Sequence, residues 1–81
     1  MSDLAELRAL VADIRMSLDS GESPRKIVDA LVRDRGARRR YNCGADHLRL
    51  AGVAASCTSE NHLLGAWVRA AERRIGKEAA Q

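Results

Sequence analysis

The stretch Ala45-Asp46-His47-Leu48-Arg49-Leu50-Ala51-Gly52-Val53-Ala54-Ala55-Ser56 decides how the whole chain is read. Its alanines and leucines favour a helix, with Leu48, Ala51, Ala54 and Ala55 turned inward and Gly52 weakening the middle. The segment before it, from Ala37 to Gly44, holds Arg38-Arg39-Arg40, then Tyr41, then Asn42-Cys43-Gly44, which reads as a turn. With residues 45–56 taken as helical, every periodic segment of the chain is a helix.

On the N-terminal side, two further helices are expected. Leu4, Leu7, Val11, Ile14 and Leu18 recur at alternating spacings of three and four, the seam of about two coiled-coil heptads. Asp3 with Glu6 three residues on makes a variant capping box, so a helix is predicted over 3–19, ended by Gly21. Ser23 caps the next, Pro24 takes its first position, and Ile27, Val28, Leu31 and Val32 form its apolar stripe up to Gly36. That helix is predicted over 24–35, and the short connection makes the first two an antiparallel hairpin. On the C-terminal side a helix starts behind Thr58 or Ser59 and runs over 59–75. Its buried face is Leu63, Leu64, Trp67, Val68, Ala71 and Ile75, and Gly76 ends it, leaving 77–81 as a frayed tail.

These readings make the chain a single all-α domain, a small bundle of about four short helices. Its 81 residues leave no room for a barrel or a doubly wound sheet. Composition agrees: fourteen Ala and nine Leu stand against one Tyr, one Trp and no Phe. The two cysteines are too few for a disulfide scaffold. The N-terminus is acidic and amphipathic, unlike a signal peptide, and no apolar run reaches membrane-spanning length. A soluble, cytoplasmic protein is therefore expected.

Charge is unevenly spread. Residues 1–34 carry five basic and seven acidic side chains, whereas residues 35–81 carry nine basic and four acidic. The formal net charge is +3, and arginine supplies twelve of the fourteen cations, a bias that a GC-rich genome also produces. Arg35, Arg38, Arg39 and Arg40, with Tyr41 beside them, form the densest run. Such a run can grip phosphates while the tyrosine stacks on a base, or it can be a solvated loop.

Every Cys and His lies between positions 43 and 62. The pairs Cys43-x3-His47 and Cys57-x4-His62 have spacings that zinc sites use. If 44–56 is one helix, however, Cys43 and Cys57 stand roughly 20 Å apart, too far for a shared ion or a disulfide. No metal and no cofactor are expected. A Cys57–His62 pair lacks an oxyanion loop or a phosphate-cradling glycine motif beside it, so catalysis is not expected either.

The run from Leu48 to Ile75 is similar in composition to short helical proteins of GC-rich phages and prophages. Within it, Ala66-Trp67-Val68-Arg69-Ala70-Ala71 resembles one helix of small bacterial regulators that bind transcription factors. The resemblance implies a host-directed, phage-encoded role and assigns no residue. The sequence reading is thus a non-catalytic helical regulator that binds, and inhibits, another protein or a second copy of itself. Its contact surface would be Leu4, Leu7, Val11, Ile14 and Leu18. The alternative is a small DNA- or RNA-binding protein using Arg35, Arg38, Arg39, Arg40 and Tyr41.

Overall fold

The computed structural model describes residues 3–79, leaving aside the side chains of Asp3, Glu60, Asn61 and Ala79. Its elements run α1 (Asp3–Asp19), α2 (Pro24–Asp34), β1 (Arg38–Asn42), β2 (Ala45–Leu50), β3 (Val53–Cys57) and α3 (Glu60–Ala79). The chain is α+β, and the all-α expectation is overturned by a three-stranded antiparallel sheet in the order β1-β2-β3.

The helix expected over 45–56 is two strands and the turn between them. In register, Leu50 faces Val53 and Leu48 faces Ala55, just as Asn42 faces Ala45 across the preceding turn. Each hairpin is therefore closed by two residues, Cys43-Gly44 and Ala51-Gly52. All four have positive φ, at 54°, 79°, 53° and 77°. That backbone matches the right-handed twist of the flanking strands, and glycine is the residue that adopts it without steric cost. Both loops satisfy the rule at their second position and strain it at the first. The period of two is present in β2: Asp46, Leu48 and Leu50 are buried while His47 and Arg49 are exposed. It was hidden by the alanines, which also fit a helical stripe over so short a run.

The helical expectations fare better. α1 and α2 fall where periodicity placed them, and α2 ends at Asp34 with Arg35 as its cap. Ser23 occupies the N-cap position but makes no side-chain cap bond. The capping role given to Asp3 lies outside the described side chains. The last helix continues through Gly76 to Ala79, so neither a stop at Gly76 nor fraying from 77 holds, and residues 80–81 lie outside the described part.

α3 organises the core. It packs on β2 and β3 on one side and on α1 and α2 on the other, and it meets each of those helices more extensively than they meet each other. Leu63, Leu64 and Trp67 are wholly buried on it, as is Leu48 on the sheet. The Trp67 indole Nε1–H donates to the Val53 carbonyl at 3.1 Å, fixing α3 against the start of β3. Near the C-terminal end, Arg74 Nη1 donates to the Gly52 carbonyl at 2.8 Å and holds the second turn. Arg15 on α1 and Glu72 on α3 form a surface ion pair. No helix among the described residues is long and apolar enough to cross a membrane.

The apolar seam of α1 is consumed by this core. Leu7, Val11 and Ile14 are buried, Leu10 joins them, and Leu18 packs against the cluster while Leu4 is half-buried. With Leu10 added, the stripe is the broad face of a helix packed within its own domain.

Candidate nucleic-acid interface

A strand turns successive side chains to opposite faces, and this rule divides the arginine run. Arg39 pairs in register with Leu48, which places it on the inner face beneath which α3 lies. There its guanidinium meets the buried Asp46 carboxylate at 3.4 Å. Tyr41, paired with Asp46, has the same parity but is exposed. Arg38 and Arg40 project from the outer face. Arg35, at the end of α2, reaches Asp13 of α1 at 3.4 Å and is not part of the sheet.

The outer face gains what the inner one loses. Arg38 stands directly opposite Arg49, and Arg40 directly opposite His47. The four make two rungs about 7 Å apart along the strands. His47 and Arg49 are exposed, as are Asn42 of β1 and Ala54 and Ser56 of β3. None of the described ion pairs involves Arg38, Arg40 or Arg49. Like charges directly opposite in a sheet are destabilising, so this arrangement is one that the fold tolerates and does not need.

Above the face lies an open hollow of about 820 Å³, bounded by Arg38, Arg40, His47, Arg49, Ala54 and Ser56 and reaching Val32 at the end of α2. Among the described residues no carboxylate lines it. A smaller hollow of about 240 Å³ adjoins it, where Arg38 and Arg49 meet the Ala51-Gly52 turn and Gly36. The outer face thus offers fork-shaped donors, one imidazole and small polar groups, but no large apolar side chain.

The zinc candidates do not gather. Hairpin folding removes the helical separation between Cys43 and Cys57, since Cys57 stands opposite Asp46, three residues beyond Cys43. Yet His47 faces outward, Cys57 shares the inner face, Cys43 sits exposed in a turn and His62 is exposed on α3. Both cysteines are free. Among the described residues no group of three or more His, Cys, Asp or Glu side chains is placed to hold a metal ion.

The sequence reading places His47 and Arg49 on a helix, weighs His47 as a zinc ligand, and leaves both out of the arginine-run surface. The signal that would have found them is the alternation His47-Leu48-Arg49-Leu50 behind Gly44. Comparison of the chain with protein-family models, with curated proteins and with solved structures finds no match.

Proposed function

We propose that this protein binds nucleic acid through the outer face of its sheet, as a non-catalytic cytoplasmic module. The observation that carries the reading is the pair of rungs Arg38/Arg49 and Arg40/His47 on a face with no acidic side chain. Three guanidiniums held together without counter-charge are a site for phosphates, which accept the planar fork of arginine in bidentate fashion. The alternative of a protein partner lacks support on this face. Protein interfaces draw their energy from buried aromatic and aliphatic anchors; the strands place none on this face, and the partly exposed Val32 of α2 is a single small aliphatic at the margin of the hollow. The α1 seam, from which a protein-directed or self-associating role was expected, is occupied by the core.

The test is a fluorescence-anisotropy titration of a labelled 20-base-pair DNA duplex over a series of salt concentrations. Phosphate contacts by Arg38 and Arg49 predict a log–log salt slope of about −1.8. Replacing Arg49 by Thr should flatten the slope by about 0.9 and weaken binding several-fold. The same substitution removes the repulsion across the first rung, so the melting temperature should hold or rise. Binding that is absent for DNA and RNA alike, or unchanged in Arg49→Thr, removes the proposal.

A further inference from the structure

The outer face is not uniform, and its relief points to the form of nucleic acid. Long side chains stand only on β1 and β2, as Arg38, Arg40, His47 and Arg49. On β3 the outward residues are Ala54 and Ser56, and the larger hollow opens beside them. The face is therefore a two-stranded ridge of hydrogen-bond donors bordered by a low shelf. Neighbouring strands lie about 4.8 Å apart, so the ridge has the width of a two-stranded ribbon. The major groove of B-form DNA, about 12 Å wide, admits such a ribbon.

Single strands need something else. Sequence-tolerant binding of unpaired bases rests on aromatic platforms. The sheet's tyrosine, Tyr41, is exposed but leaves the sheet on the face opposite the arginine ridge, paired with Asp46, and Trp67 is wholly buried against Val53. The outer face keeps only the His47 ring, flanked by guanidiniums. Double-stranded RNA is excluded by shape, because its A-form major groove is too deep and narrow for side chains to read.

We infer that the β1–β2 ribbon enters the major groove of double-stranded DNA. Arg40 and His47 face the base edges, Arg38 and Arg49 reach the backbone phosphates, and the sugar–phosphate wall of the groove rests on the shelf over β3. Arginine is the side chain that pairs with the O6 and N7 acceptors of guanine, the commonest specific contact in that groove. Asn42, at the end of the ridge beside the first turn, has the amide that adenine takes. The Arg38/Arg49 rung lines both hollows, which places it at the other end of the ridge, within reach of the backbone phosphates. This inference rests on the nucleic-acid reading above and goes beyond it in naming duplex DNA and the groove.

The experiment uses the full chain and four probes: a labelled 20-base-pair DNA of mixed sequence, its RNA counterpart, one of its single strands, and poly-glutamate as an unlabelled competitor. Binding to the DNA duplex should be at least about tenfold tighter than to the RNA duplex or the single strand. Methyl green, which occupies the major groove, should displace the protein from DNA, and distamycin, which occupies the minor groove, should not. A single strand or RNA duplex bound as tightly as the DNA duplex overturns the inference while leaving the nucleic-acid reading in place. So does displacement by distamycin with none by methyl green. Failure of all three nucleic acids removes both, and poly-glutamate competing as well as DNA would assign the face to acidic polypeptides and overturn both as well. Asn42→Ala supplies an independent check. It carries no charge, so it should leave the salt slope unaltered while weakening the duplex complex about fivefold, and an unaltered affinity argues against base contact along the ridge.

Discussion

Replacing Val11 with Asp separates an interface on α1 from a core helix. Val11 is 7 % exposed and belongs to the cluster that α1 shares with α2, α3 and the sheet. Truncating it loses about 2 kcal/mol of apolar burial. A carboxylate there must also shed its water, which costs several kcal/mol even after the surroundings relax. Among the described residues no buried cation is available to offset it. A single core of this size supplies only about 3–5 kcal/mol of net stability. Val11→Asp should therefore not fold, and its far-ultraviolet circular dichroism should show no cooperative melt. The graded companion, Val11→Ala, should fold with about 2 kcal/mol less stability, which lowers the melting temperature by roughly 10 °C in a domain of this length. Size-exclusion chromatography completes the assay. If Val11→Asp keeps the wild-type melting temperature and only shifts from dimer to monomer, α1 is an exposed contact surface and the packing described here is wrong.

Further substitutions test the hairpins and the α3 junction. Ala51→Asn should raise stability by about 1 kcal/mol, because Asn tolerates the positive φ of 53° that Ala resists; a lower melting temperature would contradict the tight second turn. Trp67→Phe should cost about 2–3 kcal/mol in a denaturant titration, since it removes the donor to the Val53 carbonyl and leaves a cavity. Arg15→Ala should change stability by no more than about 0.5 kcal/mol, because its partner Glu72 and it are both well exposed. A larger loss would show that the α1–α3 ion pair does more than decorate the surface.

The helical part of the fold was legible because its signals are local. Pro24 behind Ser23 marks a helix start, Gly21 and Gly36 stand where α1 and α2 stop, and the three-four spacing from Leu4 to Leu18 survives intact. The sheet was not legible for equally physical reasons. Its strands are five or six residues long, its alanines favour helices in isolation, and its turns carry Cys-Gly and Ala-Gly in place of the Asn-Gly that announces a hairpin. What favours strands over a third short helix is α3, whose wide apolar face takes Leu48, Leu50 and Val53 from one side of a pleated surface. Strand propensity of this kind comes from packing and cannot be computed from the segment alone.

Sequence by itself therefore determined three helices, the buried identity of Trp67 and the leucines around it, and a C-terminal half rich in arginine. It could not determine which arginines act together. Residues 38–40 are contiguous in the chain, yet the pleat sends Arg39 inward to Asp46 and leaves Arg38 and Arg40 outside. Pairing in register then adds Arg49 and His47, seven to eleven positions away in sequence, to the same face. The α1 seam shows the converse: a pattern fit for a partner helix is satisfied inside the monomer. Periodicity states that a face must be covered, and only the tertiary structure decides what covers it.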